Sequence, residues 1–376
     1  MRVALCAGET SGDQLGAGLV AALRDRYPQA QFAGIGGPGM RAAGVDAWWD
    51  AGELAVMGLA EVLAHLPRLL KLRREFRQRV LDWRPDVFVG IDAPDFNLGV
   101  ERWLRQRGVR TVHHVSPSVW AWREGRAARI GESADRVLCL FPMEPGIYAR
   151  HGVDAVFVGH PLADAIALQP DRAAARAGLD LAADAPVLAL LPGSRLGEIA
   201  RMLEVFLDAA AQLRHDLPAL QVLVPAANPA CRTAIERTAG TAAPGIRILD
   251  GQARQAMVAS DGVLLASGTA ALETMLCKRP MVVGHRIAPS TYRIVKALGL
   301  LKSAHVSLPN VLAGEALVPE LLQHECTASN LAAALRTVLA PAWSAQALPR
   351  FEAIHRQLRR DADARAAEAV LELARR

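Results

Sequence analysis

The feature that most constrains this chain is a repeated alternation of short, uninterrupted apolar runs with longer stretches of helical spacing. The runs Val3–Ala7, Phe32–Ile35, Val87–Ile91, Val109–Val115, Val137–Phe141 and Val156–Val158 form one series. After a Gly-, Pro- and Ala-rich stretch from Gly159 to Pro186, a second series follows: Val187–Leu191, Val222–Val224, Ile246–Leu249, Val263–Leu265 and Met281–Val283. A strand that is apolar throughout must be covered on both faces, which a parallel sheet wrapped by helices achieves. The pattern predicts an α/β chain of two Rossmann-like, doubly wound domains, residues 1–165 and 166–345, facing a central cleft at the carboxyl ends of both sheets. Residues 346–376 alternate charge with helix formers and predict a terminal helix that packs back on the body or on a partner subunit.

Composition narrows the class. A 376-residue chain with 52% hydrophobic and 22% charged residues buries sizeable cores rather than staying disordered. Its five cysteines, Cys6, Cys139, Cys231, Cys277 and Cys326, are far apart and odd in number. That excludes a disulfide framework and a paired-cysteine zinc site and favours a reducing compartment. The sequence opens on a core strand without a leader pattern, and no apolar run reaches the ~18 residues of a membrane span, so the expected location is cytoplasmic. The net charge of +5 and pI near 9.2 favour an acidic partner. No recognition-helix or aromatic RNA-binding signature makes that partner a nucleic acid.

The segment Leu54–Leu81 departs from the ordinary pattern, with a Leu-rich stripe leading into Arg68, Lys71, Arg73, Arg74, Arg77 and Arg79, and Pro67 at the joint. The conservative reading is a core helix with a solvated basic face. The sharper reading is an interfacial helix whose Leu66, Leu69 and Leu70 enter an anionic membrane while Arg68, Lys71 and Arg73 meet its headgroups.

Polar residues gather where strands turn into helices. Gly8-Glu9-Thr10-Ser11-Gly12-Asp13 leaves the first strand; its backbone N–H groups and the following helix N-terminus suit an anion or a sugar hydroxyl. Asp13 reads equally well as a helix cap. The cluster Gly34-Ile-Gly-Gly-Pro-Gly39 has dinucleotide spacing but carries a proline where a helix should open and lacks a strand-end acid, so a nicotinamide cofactor is not expected. Asp92 and Asp95, in Gly90-Ile-Asp-Ala-Pro-Asp-Phe-Asn97, end the third run. A carboxylate there faces the ligand crevice and can act as general base, with capping by Asp95 or Asn97 the alternative. His113 and His114 point to opposite faces of a strand and cannot share a metal. Trp120 and Trp122 suit either a sugar or acyl wall or plain packing.

The second half repeats the device. Pro192-Gly193-Ser194-Arg195 ends one strand with backbone donors, a hydroxyl and a guanidinium, a set suited to a diphosphate. Ser267-Gly268-Thr269 ends another, and Glu273, one helical turn on, is placed to accept hydrogen bonds from ribose hydroxyls. Two anion-receiving turns and a carboxylate point to a nucleotide diphosphate.

Taken together with His114-Val-Ser-Pro-Ser-Val-Trp-Ala-Trp122, Phe157-Val-Gly-His-Pro161 and Ser307-Leu-Pro-Asn310, these motifs occur in one order along nearly the whole chain. In this the sequence resembles the bacterial lipid-A-disaccharide synthases, inverting glycosyltransferases of the two-domain GT-B type. The first motif departs only in Thr10, where the family more often has alanine. The resemblance implies that UDP-2,3-diacylglucosamine donates its sugar to the 6-hydroxyl of 2,3-diacylglucosamine 1-phosphate (lipid X), giving a β-1,6-linked disaccharide 1-phosphate and UDP. Asp95 is then the expected base, with Asp92 the alternative. Ser194, Arg195 and Ser267–Thr269 receive the departing UDP, Glu273 its ribose, and Asn310 joins the donor site by carry-over alone. The loop of Gly8, Glu9, Ser11, Gly12 and Asp13 faces sugar or acceptor. Arg195 and the helix N-termini supply the positive charge, with no Asp-x-Asp near the site, so neither metal nor cofactor is expected. The acyl chains favour peripheral attachment to the cytoplasmic face of the inner membrane, and the family also admits a homodimer that exchanges carboxyl-terminal regions.

Overall fold

The computed structural model describes residues 1–54, 59–117, 126–240, 245–287 and 305–375, with side chains from Leu66 onward in the helix that begins at Leu59. Trp120 and Trp122 lie outside the described residues. The chain forms two compact units, Met1–Asp164 with Leu358–Arg376, and Ala165–Gln357.

The first unit is a seven-stranded parallel sheet of order β3-β2-β1-β4-β5-β6-β7. Its strands are β1 Arg2–Ala7, β2 Gln31–Gly36, β3 Asp46–Asp50, β4 Val87–Ile91, β5 Arg110–His114, β6 Arg136–Cys139 and β7 Ala155–Phe157. Alternate residues of β1 enter different cores. Val3, Leu5 and Ala7 pack with Leu19, Val20 and Leu23 of helix α1 (Thr10–Arg26). Ala4 and Cys6 face the other way, towards Phe76 and Val80 of α3 (Leu59–Trp83) and Val100 and Leu104 of α4 (Pro94–Arg105). This two-sided burial is why the strand reads as continuously apolar.

The terminal helix Ala362–Ala374 closes the α1 face, with Ala366, Val370 and Leu371 in the same core. Arg136, 4% exposed, ties it down by donating to Ala369 O at 3.0 Å and pairing with Glu372 at 2.9 Å.

In α3 the helix runs through Pro67. Leu72, Phe76 and Val80, spaced by four, form its buried stripe, whereas Leu66 and Leu70 are 41% and 47% exposed. The basic run is not merely solvated: Arg77 lies 4.7 Å over Trp103 and Arg79 lies 4.5 Å over Trp48. No helix among the described residues is long and apolar enough to cross a membrane.

The second unit is a six-stranded parallel sheet of order β10-β9-β8-β11-β12-β13. Its strands are β8 Val187–Leu191, β9 Gln221–Ala226, β10 Ile246–Asp250, β11 Gly262–Ala266, β12 Met281–His285 and β13 Glu320–Leu322. In both sheets strand order reverses beside the first strand of the unit. Such a reversal splits the following helices to opposite faces and opens a crevice at the carboxyl ends. Ala7 pairs with Ile91 at one switch point, and Leu191 with Leu265 at the other.

Candidate active site

At the first switch point β4 ends in Ile91, and the chain turns through two consecutive left-handed residues, Asp92 (φ 50°) and Ala93 (φ 43°). Each such residue costs about 1–2 kcal/mol, so the turn persists only because its surroundings hold it. Pro94 then opens α4, with Asp95 in the first turn, where negative charge suits the helix dipole. Capping does not explain the carboxylate: Ala93 is the cap residue and no side-chain capping bond is made. Gly8 lets the loop after β1 come close, since a Cβ there would stand 2.8 Å from Ala93 Cβ.

The result is a cavity of about 350 Å³ lined by the polar side chains of Glu9, Asp92, Asp95 and Arg73 and by apolar Leu54, Leu66, Leu69, Leu70 and Phe96. The three leucines read as membrane-facing thus also line a pocket beside two carboxylates, and Arg73 joins them. Arg68 turns back to donate to Glu53 O at 2.9 Å, and Lys71 pairs with Glu75 at 3.9 Å.

Of the Gly8–Asp13 loop, Glu9 reaches this cavity, Ser11 is exposed on the first turn of α1, and Gly12 is buried against Ala7 and Ile91. Asp13 neither caps α1 nor faces the cavity. It is buried, and its carboxylate accepts from the N–H groups of Gly37 (2.7 Å), Gly39 (2.7 Å) and Met40 (3.0 Å). These open the short helix α2, Pro38–Ala42. The second glycine cluster therefore serves Asp13: a Cβ on Gly37 or Gly39 would stand 2.8 or 2.9 Å from that carboxylate.

At the second switch point, β8 leads through Gly193 (φ 126°) into the helix Leu196–Arg214, and β11 through Gly268 (φ 154°) into Thr269–Leu276. Among the described residues neither helix has a side-chain cap, which leaves first-turn N–H groups for an outside acceptor. A cavity of about 380 Å³ brings together Ser194, Arg195, Ser267, Gly268, Thr269 and Glu273. Each of these residues was singled out from the sequence.

Two further residues were missed. Glu198 lines the same cavity and accepts from Ser194 N at 3.1 Å and from Arg195 at 3.4 Å. A glutamate at the third helical position commonly reaches back in this way, so the signal was present. Arg254 donates to Glu273 at 2.8 Å, and nothing local in sequence joins these two.

Asn310 is not brought into this cavity. Its Oδ1 accepts from Val318 N at 2.7 Å, and its Nδ2 donates to Val318 O and Glu320 Oε1, both at 2.9 Å. The amide closes the loop before β13, with Glu320 also accepting from Ser307 N at 2.8 Å.

A family model described as lipid-A-disaccharide synthetase matches residues 3–370. The chain belongs to that family. It is therefore a glycosyltransferase of lipid A biosynthesis. Over 376 residues it is 65% identical to the lipid-A-disaccharide synthase of Xanthomonas campestris pv. campestris strain 8004, covering 99% of this chain and 86% of the relative. It is 60% identical to that of Xylella fastidiosa strain M12, covering 99% and 98%. Among solved structures, the UDP-GlcNAc 2-epimerase from Neisseria meningitidis aligns with a TM-score of 0.64 over 99% of both chains at 11% identity. At that identity the likeness speaks for the GT-B fold alone. A shared fold does not carry a shared reaction.

Proposed function

We propose that this chain transfers 2,3-diacylglucosamine from its UDP derivative to the 6-hydroxyl of 2,3-diacylglucosamine 1-phosphate with inversion at the sugar carbon. Asp95 takes the hydroxyl proton, with Asp92 beside it as the alternative. The freed oxygen bonds to the donor's anomeric carbon from the face opposite UDP, and the bond from that carbon to the diphosphate oxygen breaks. A single displacement needs one base and no covalent intermediate. Negative charge growing on UDP meets Arg195 and the helix N-termini at Ser194 and Ser267–Thr269, where preorganised donors lower the barrier. Glu273 accepts from the ribose hydroxyls.

The observation that carries this reading is the leucine-lined cavity with Asp92 and Asp95 on its wall. A soluble acceptor has no use for such a wall, whereas fatty chains gain about 0.8 kcal/mol per buried CH₂. Arg73 answers the acceptor's 1-phosphate. The exposure of Leu66 and Leu70 beside the basic α3 supports the further reading that this helix rests on the cytoplasmic face of the inner membrane, from which the lipid substrates enter.

The test is mass spectrometry of the purified chain with both acylated substrates in mixed micelles, with and without chelator. Equal amounts of disaccharide 1-phosphate and UDP support the proposal. Turnover of unacylated UDP-N-acetylglucosamine without disaccharide would overturn it.

A further inference from the structure

Helix α4 carries the Asp92–Asp95 turn at its amino end, while two of its side chains point the other way, into the sheet. Asn97, fully buried, donates from Nδ2 to three main-chain carbonyls: Asp92 at 2.8 Å, Cys6 at 3.1 Å and Ile91 at 3.3 Å. These belong to the ends of β1 and β4 and to the left-handed turn itself. One helical turn on, Glu101, also fully buried, meets His113 Nδ1 of β5 at 2.7 Å through Oε1. Both side chains lie over Gly90, where a Cβ would stand 2.0 Å from Glu101 Oε1 and 2.9 Å from Asn97 Cβ. Glycine at this one position of β4 lets α4 seat so deeply. The Asp92 N–H in turn donates to His114 O of β5 at 2.8 Å.

A buried carboxylate–imidazole pair is a costly way to hold a helix, because apolar packing of the same volume stabilises at least as well. Burial alone drives the Glu101 carboxyl upward, and the His113 contact opposes that shift. Among the described residues, Glu101 Oε2, His113 Nε2 and Asn97 Oδ1 have no hydrogen-bond partner. The pair is thus not part of a larger satisfied network. What it supplies beyond packing is direction, a short contact that fixes where α4 stops along the sheet. None of the three side chains lines the cavity.

We infer that Asn97 and the Glu101–His113 pair are positioning residues for the glycosyl transfer, holding the Asp92–Asp95 turn so that its base stays aimed at the acceptor hydroxyl. The inference rests on the catalytic role proposed above for that turn. A displacement of the order of 1 Å at a reacting group can cost about a hundredfold in rate, so a small tilt of α4 is enough to register.

The experiment compares full-length Asn97→Ala, Glu101→Ala and Glu101→Gln with Asp95→Ala and Asp92→Ala. It measures kcat, the KM for the acceptor and the Kd for UDP, with thermal melting to confirm folding. For Asn97→Ala the expected kcat is lower by roughly a hundredfold, with KM and the UDP Kd within about threefold of the parent. For Glu101→Ala we expect a roughly tenfold loss of kcat that Glu101→Gln restores, since the amide oxygen still accepts from a His113 Nδ1–H. A folded Asn97→Ala with unchanged kcat, while Asp95→Ala or Asp92→Ala is inactive, would overturn the inference and leave the catalytic turn standing. Full turnover in both aspartate variants would instead remove the catalytic turn on which the inference rests. Should Asn97→Ala not fold, the Glu101 pair decides: equal kcat in Glu101→Ala and the parent, or no rescue by Gln, would overturn it.

Discussion

Arg254 donates from Nε to Glu273 Oε1 at 2.8 Å on the wall of the second-unit cavity, with the glutamate the more buried partner. A carboxylate that receives a ribose must present its free oxygen in one direction, and the guanidinium fixes that direction. Glu273→Ala is expected to raise the UDP Kd roughly tenfold, about 1.4 kcal/mol, and Arg254→Ala to raise it less. Because the two act as a unit, the double variant should bind no worse than Glu273→Ala alone. Titration calorimetry with UDP checks this, and additive losses would show that they act separately.

Asp13 bridges α1 to α2 through three backbone N–H groups. Asp13→Asn keeps the volume but sets an NH₂ against at least one of those donors, leaving a buried group unpaired. The expected cost is about 2 kcal/mol, or a melting point lower by about 4–8 °C for a unit of this size. Differential scanning calorimetry reads the shift, while the UDP Kd, which the proposed function assigns to the other unit, should not change.

His160 is buried against Phe141, ring centroids 5.6 Å apart, and its Nδ1 accepts from Leu162 N at 3.2 Å. Acceptance at Nδ1 requires the neutral ring, and burial pushes its pKa down to about 4, against a smaller upward pull from Asp164. A folded pKa below the unfolded 6.5 means that the unfolded chain takes up the proton first. Stability is therefore full above pH 6.5 and is lost as pH falls towards 4, by about 1.4 kcal/mol per pH unit for this one site. His114, also pushed to about 4, adds the same sign. Glu144, raised to about 8 by burial, adds the opposite sign between 4.5 and 8. The clean measurement is thus a difference: urea unfolding of parent and His160→Gln at pH 7, 5.5 and 4.5 should converge as pH falls. Parallel curves would contradict the assignment.

Arg73 is the cation among the described residues lining the leucine-walled cavity. Arg73→Ala should raise the acceptor KM about tenfold or more, the usual worth of a charge-assisted phosphate contact. The increase should vanish with a dephosphorylated acceptor. Equal increases for both acceptors would place Arg73 with the membrane contacts instead.

The central strands were legible because burial on both sides leaves no room for polar residues: Val87-Phe-Val-Gly-Ile91 is buried throughout. The edge strands β3 and β13 were not. Asp46-Ala-Trp-Trp-Asp50 and Glu320-Leu-Leu322 contain no fully buried residue, so neither alternation nor an apolar run marks them. At the sites, residues at strand ends were visible because topology alone brings Ser194 beside Ser267 and Gly8 beside Asp92. Partners that meet through tertiary contact were invisible. Asp13 reads locally as a helix cap or a sugar contact, with no sign of the Gly37 and Gly39 N–H groups it binds, and Arg254 carries no local sign of Glu273. The Leu66–Arg73 stretch suggested a membrane helix, and its one-dimensional pattern carried no sign that the same leucines also line a cavity beside Asp92 and Asp95.

The most direct test of the account is turnover by Asp95→Ala with both acylated substrates at saturation, alongside its UDP Kd. Folded Asp95→Ala is expected to lose about 10²–10⁴ in kcat, the range for removing a general base, with UDP affinity and melting temperature unchanged. Near-parental turnover by folded Asp95→Ala would contradict it and move the base to Asp92 or away from this turn altogether.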